Sequence, residues 1–302
     1  PTVCASAAIA LSVAGLISKG KKTVLERLPD SSGLPNEIIL QKGHAINFNA
    51  PMETMLRLGG GVPVEVGAAT EVSVEHVEEA ITDKTVALLY VKSHHCVQKG
   101  MLDLPTMIDI AHRNNLPILV DAAAEEDFRK YIAMGADLVC YSGAKALEAT
   151  TSGFVTGKKE LIGYVKKQYK GIGRAMKAGK ESIMGLLAAL EQYENKDKEA
   201  EVQKNIKIVE YLCKEINAIP KLRAEMVQDE AGRAIYRARV YVDPEKAGMT
   251  ATELETRLKA GNPTIRCRTE FMSLGSLDFD PRPLVEGDKE LVVQKLKEIM
   301  EA

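Results

Sequence analysis

The chain has 302 residues, with 40 Lys+Arg against 42 Asp+Glu, a net charge of −2, 45% apolar residues and 5% aromatics without Trp. These proportions belong to a globular chain and exclude a disordered chain, a disulfide scaffold and a collagen-like repeat. Balanced charge gives no general attraction to nucleic acid or anionic membrane, and the length fits one large domain plus a smaller one.

Residues 1–17 read as a short turn followed by a helix rich in Ala and Leu. This apolar stretch lacks the basic start and the cleavage site of a signal peptide, and its abrupt beginning implies that a natural N-terminal segment precedes it. No run of about 18 uncharged apolar residues occurs, so no membrane helix is expected. The spacing then predicts a strand at 37–40, a helix at 51–58 ended by Gly59-Gly60-Gly61, a strand at 62–66 and a helix at 74–81. Residues 85–91 (TVALLYV) form a strand that is apolar nearly throughout. A helix at 104–114 leads to the strand PILV at 117–120, which ends at Asp121. A helix at 128–134, a strand at 137–141, a return strand at 153–156 and a helix at 159–169 follow. Strands that are apolar on both faces and alternate with helices imply a mostly parallel sheet covered on both sides. This large domain is expected to span 1–195.

Beyond it, a long helix is predicted to start at 182, pass through the charged run 194–204 and continue to 216. Residues 233–242 alternate as an antiparallel strand should, 252–259 form a helix, 279–283 a strand and 289–300 a closing helix. That makes a small α+β domain over 196–302. The five cysteines, Cys4, Cys96, Cys140, Cys213 and Cys267, are odd in number and widely spaced, which suits reduced thiols in a cytoplasmic protein.

Ligands of open parallel sheets bind beyond the carboxyl ends of the strands. Two residues stand out there. Asp121 closes a very apolar strand, where a carboxylate is costly unless paired, although it could also cap a following helix. Lys145 follows the strand DLVCYSG among small residues, where a lysine can act as a nucleophile or simply sit on a surface turn. Together, an Asp closing one strand and Ser-x-x-Lys closing another match the needs of a pyridoxal phosphate site: Asp121 for the pyridinium nitrogen, Lys145 for the Schiff base and Ser142 for the phosphate. Backbone N–H groups of Ala5, Ser6 and Ala7 at the start of the first helix, with the Ser6 hydroxyl, would add a second phosphate contact.

From about residue 37 to 193 the chain resembles the selenocysteine synthase (seryl-tRNA selenium transferase) family of pyridoxal phosphate enzymes. The matching stretches are LRLGGGVPVEVGAAT, LPILVDAAAE, GADLVCYSGAKALEATTSGFVTGKKELI and GRAMKAGKESIMGLLAALEQY, in that order. The resemblance implies the aspartate-aminotransferase-like fold, fold type I, with Lys145, Asp121 and Ser142 in the roles above. It also implies a homodimer or a larger homo-oligomer, and further residues before the phosphate-binding turn. Ala144 stands where the family has Asp, Glu148-Ala149-Thr150-Thr151 replaces Gly-Gly-Pro-Gln, and Arg174-Ala175-Met176-Lys177 replaces Arg-Ala-Leu-Arg. These departures resemble a related branch, the D-glucosaminate-6-phosphate ammonia-lyases. That branch implies conversion of a phosphorylated amino sugar acid to 2-keto-3-deoxy-6-phosphogluconate and ammonia. The alternatives are selenium transfer to seryl-tRNA, or another pyridoxal phosphate β-elimination or aldol cleavage.

A substrate with a carboxylate and a phosphate must meet cations. The candidates are Arg174, Lys177 and Lys180, Arg266 and Arg268, with Arg268 assigned to the carboxylate, and Lys92 after the strand TVALLYV. His44, in QKGH after a strand, is a candidate for the cofactor ring or for the catalytic acid. His94 and His95 invite a metal, but adjacent histidines in a strand face opposite ways and no further ligand is suitably spaced, so no metal site is expected. His76 and His112 fall on helix exteriors. A nucleic-acid partner using the basic stretch 158–180 is disfavoured by the overall charge balance. Gly171-Ile172-Gly173 does not follow a strand, which argues against a dinucleotide site.

Overall fold

The computed structural model describes residues 1–230 and 232–301. The chain divides into two compact units, Pro1–Asn195 and Lys196–Ala302.

The first unit opens with α1 (Ala5–Ser18), whose first turn is capped by the Cys4 thiol accepting from the Ala7 N–H. α2 (Lys22–Arg27), β1 (Glu37–Gln41), α3 (Met52–Leu58), β2 (Val62–Val66), α4 (Val74–Glu78), β3 (Thr85–Val91) and α5 (Leu104–Arg113) follow. Next come β4 (Ile118–Asp121), α6 (Lys130–Ala133), β5 (Leu138–Ser142), β6 (Gly153–Gly157), α7 (Lys159–Lys167) and α8 (Lys180–Asn195). The six strands run in the order β2-β1-β3-β4-β5-β6. All neighbours are parallel except β6, which returns antiparallel to β5. Strand side chains alternate between the faces. Ile38, Leu40, Leu89, Leu119 and Cys140 join the core under α1, α3 and α7. Ile39, Leu88, Tyr90, Val120 and Tyr141 join the core under α5 and α8. The completely buried β3 explains its nearly unbroken apolar run.

The second unit contains α9 (Lys198–Asn217), β7 (Leu222–Gln228), β8 (Tyr236–Val242), α10 (Pro244–Ala247), α11 (Ala251–Ala260), β9 (Ser276–Phe279) and α12 (Asp288–Glu301). Its antiparallel sheet, β7-β8-β9, shares a core of Val209, Leu212, Val240, Leu254, Leu277 and Leu296.

Several elements differ from the sequence expectation. The long helix from 182 to 216 is two helices, because Asp197 caps a new one through the Ala200 N–H. β9 lies at Ser276–Phe279 rather than at 279–283, where Pro281 and Pro283 interrupt. β7 is absent from the sequence expectation, since the alternation Leu222-Arg223-Ala224-Glu225 is short and breaks at exposed Met226 and half-buried Val227. The predicted helix at 128–134 shortens to α6, which is led in by a turn in which the Asp127 carboxylate accepts from the Arg129 and Lys130 N–H groups.

Candidate active site

The site residues of the first unit collect at the carboxyl ends of β1, β3, β4 and β5. β1 runs into a 3₁₀ turn, Lys42–His44, that carries His44 into the core with none of its surface exposed. The Val91 N–H donates to His44 Nδ1 at 3.3 Å. The neutral ring therefore carries its proton on Nε2, a buried atom without a hydrogen-bond partner among the described residues. Burial, reinforced by the nearby Lys92 charge, pushes His44 down to about 4, so it is neutral at physiological pH. Lys92 follows β3, and its backbone N–H donates to the Asp121 carbonyl at 2.8 Å, holding the two loop ends side by side.

Asp121 is 6% exposed. Its Oδ1 accepts from the Ala123 N–H at 3.1 Å, and no helix follows until α6, so the side chain closes a turn rather than capping a helix. Oδ2 accepts no hydrogen bond among the described residues. Burial raises the carboxyl to about 6 against the opposing pull of the Ala123 N–H and the Lys145 charge. Ser142 ends β5, and its N–H donates to the Ala123 carbonyl at 3.2 Å. Lys145 is exposed on the turn that follows and has no ion pair among the described residues.

Strand pairing brings the N-terminus of α1 to the same place. Ser142 lies opposite Gly153, and Gly153 exchanges two backbone hydrogen bonds with Thr2, at 2.7 and 2.9 Å. The N–H groups of Ala5 and Ser6 make no hydrogen bond among the described residues and stand at the positive end of a 14-residue helix, whereas that of Ala7 is taken by Cys4. Sequence reasoning missed Gly153. A Cβ there would lie 2.5 Å from the Cys4 carbonyl carbon and 2.8 Å from the Ala5 nitrogen, so only glycine permits this approach. The Ser-Gly pair before FVT was the available signal.

The candidate cations divide differently. Arg174, Lys177 and Lys180 are exposed and unpaired among the described residues, and the turn holding Arg174 packs through Gly173 against Leu11 in the middle of α1. No described contact ties them to Asp121 or Lys145. Arg268 belongs to the second unit, is bound to the Glu270 carboxylate and pairs through its backbone with Asp278. It lines, with Arg266, a cavity of about 370 Å³ within that unit.

His94 and His95 lie on the loop after β3 with ring centroids 4.0 Å apart, not on opposite faces of a strand. Among the described residues, no group of three or more His, Cys, Asp or Glu side chains could hold a metal ion. None of their helices is long and apolar enough to cross a membrane. His112 bonds the Asp137 carboxylate at 3.0 Å, and His76 accepts from the Ser73 N–H.

A buried carboxylate with an open oxygen, an unpaired amine and a helix N-terminus with open N–H groups can together hold a cofactor that carries a ring nitrogen, a carbonyl and an anionic group. Residues 28–274 match the family described as L-seryl-tRNA selenium transferase. The chain is 46% identical over 300 residues to a D-glucosaminate-6-phosphate ammonia lyase of Salmonella typhimurium, covering 99% of this chain and 80% of that protein. It is 41% identical over 302 residues to a 5'-C-glycyluridine monooxygenase-decarboxylase of a Streptomyces species, covering 99% and 76%. A solved structure of D-glucosaminate-6-phosphate ammonia-lyase superposes with a TM-score of 0.90 at 46% identity, over 99% of this chain and 80% of that one. An aspartate aminotransferase of Thermotoga maritima shares the fold at a TM-score of 0.52 and 14% identity, over 100% and 75%. The chain thus belongs to the L-seryl-tRNA selenium transferase family and has the aspartate-aminotransferase-like architecture of fold type I.

Proposed function

We propose that the chain is a pyridoxal phosphate-dependent ammonia-lyase that converts D-glucosaminate 6-phosphate to 2-keto-3-deoxy-6-phosphogluconate and ammonia. The observation that carries this reading is the 46% identity to a lyase of that name across 99% of the chain.

The residues fit the cofactor. The open Oδ2 of buried Asp121 would accept from the pyridinium N–H, relieving an uncompensated buried charge. The N–H groups of Ala5 and Ser6, with the Ser6 and Ser142 hydroxyls, would hold the phosphate. Lys145 Nζ would hold the carbonyl carbon. When bound, pyridoxal phosphate supplies an electron sink that makes the substrate Cα–H acidic. We assign to Lys145 Nζ the movement of that Cα proton. Asp121, ionised against the ring's positive charge, would favour the protonated ring nitrogen. His44 is assigned a positioning role, offering Nε2–H as a neutral donor, because burial keeps it from carrying a transferable proton at neutral pH. Lys92, Arg174 and Lys177 are assigned to the substrate's carboxylate and phosphate. A homodimer or larger homo-oligomer completes the reading, and the five free cysteines favour a reducing, cytoplasmic setting.

The 41% identity to a monooxygenase-decarboxylase favours one competing activity. Incubation of the pyridoxal phosphate-loaded protein with D-glucosaminate 6-phosphate tests both. The lyase reading expects equal amounts of ammonia and 2-oxo acid without uptake of dioxygen. No product from the sugar acid, but dioxygen-dependent carbon dioxide release from a glycyl nucleoside, would replace it with the competing activity.

A further inference from the structure

The turn that carries Asp121 is anchored by a pair of side chains that the mechanism does not use. Glu125 and Tyr131 are 8% and 2% exposed. The Tyr131 hydroxyl donates to Glu125 Oε2, the one hydrogen bond that this carboxylate accepts among the described residues. A buried carboxylate with a single donor is expensive unless it fixes something. What it can fix is close by. The Glu125 N–H closes a turn onto the Ala122 carbonyl at 3.1 Å. Ala123, inside that turn, gives its N–H to Asp121 Oδ1 at 3.1 Å and its carbonyl to the Ser142 N–H at 3.2 Å. The residues assigned to the ring nitrogen and the phosphate, Asp121 and Ser142, therefore both hang on Ala123, which sits within the span that Glu125 closes.

The next residues are held from two other elements. Tyr193 of α8 donates to the Glu126 carbonyl at 2.9 Å and Tyr141 of β5 to that of Asp127 at 3.5 Å. Phe128 packs its ring against both, at 4.5 and 5.0 Å between centroids. These contacts fix the far end of the loop. The Tyr131–Glu125 bond instead ties the near end of the loop, the turn itself, to α6 through a buried carboxylate.

We propose that Glu125 and Tyr131 form a positioning pair that locks the 121–125 turn, and through Ala123 sets the Asp121 carboxylate and Ser142 for the cofactor. This rests on the reading of Asp121 as the ring-nitrogen partner. The test measures pyridoxal phosphate affinity and the visible circular dichroism of the bound cofactor in the wild-type, Tyr131→Phe and Glu125→Gln proteins. Tyr131→Phe keeps the ring and loses the donor, so affinity should fall about tenfold and the dichroic band should weaken, as loss of a hydrogen bond to a charged group implies. Glu125→Gln keeps an acceptor for the phenol and should stay within about twofold of wild type. If Tyr131→Phe fails to fold, Glu125→Ala takes its place against Glu125→Gln with the same expected contrast. A Tyr131→Phe protein that melts earlier but keeps wild-type affinity and dichroism overturns the proposal, leaving the pair a structural tie. A wild-type protein without a cofactor band overturns the cofactor reading itself, and this inference with it.

Discussion

Asp121→Asn should have opposite effects on stability and function. In the cofactor-free protein, burial raises the Asp121 carboxyl from 3.8 to about 6, although the Ala123 N–H and the Lys145 charge pull the other way. The native state therefore holds this proton longer than the unfolded chain does. The stability it contributes is complete below the unfolded value and is lost as pH rises through about 6. At pH 7 the ionised, buried carboxylate costs about 3 kcal/mol, from roughly 1.4 kcal/mol for each unit of difference. At pH 4 the same linkage leaves only about 0.5 kcal/mol. Asn has the same shape and still accepts from the Ala123 N–H, but it carries no charge. Thermal unfolding of the cofactor-free proteins should therefore place Asp121→Asn several degrees above wild type at pH 7, of order 6–10 °C for a unit of this size. The gap should nearly close at pH 4. With pyridoxal phosphate present the order should reverse in affinity and turnover, because the amide cannot offset the pyridinium charge. A variant no more stable than wild type at pH 7, or a gap independent of pH, would refute the view of Asp121 as a strained carboxylate awaiting a cation.

Three further outcomes follow from the same geometry. Gly153→Ala should destabilise the protein by about 1–3 kcal/mol in denaturant titration and weaken cofactor binding more than tenfold, because its Cβ would meet the Cys4 and Ala5 backbone at 2.5–2.8 Å. His44 is lowered from 6.5 to about 4, so the stability it contributes is complete above 6.5 and lost as pH falls towards 4. His44→Asn should remove about 3 kcal/mol of acid sensitivity across that window, measured as the pH dependence of unfolding against wild type. Cys96, pushed up to about 12 by burial and the Asp121 charge, should resist alkylation in the native protein at pH 8, whereas all five thiols should react once it is unfolded.

Much of the parallel sheet was legible because both of its faces are covered: TVALLYV and PILVD could hardly be anything but buried strands. The same logic exposed Asp121, since a charge at the end of such a strand demands an explanation. Lys145 and Ser142 became legible only as a pair with it. Gly153 showed in the sequence only as the Ser-Gly pair before FVT, because its requirement comes from the backbone of Cys4, about 150 residues earlier in the chain. The Glu125–Tyr131 pair was not legible, since it reads as two ordinary polar residues until the fold buries them. The break between α8 and α9 was hidden in a charged run that favours helix throughout, so that Asp197 alone marked a new start. The cationic candidates stayed scattered, because exposed lysines and arginines carry no pattern that separates a substrate contact from a solvated surface.

The central claim is that Lys145 holds pyridoxal phosphate beside Asp121. Borohydride reduction of the cofactor-loaded protein, followed by peptide mapping, tests it most directly. The account predicts a pyridoxyl group on Lys145, and none bound in the Lys145→Ala protein. A pyridoxyl group on another lysine, or none on the wild-type chain, would contradict it.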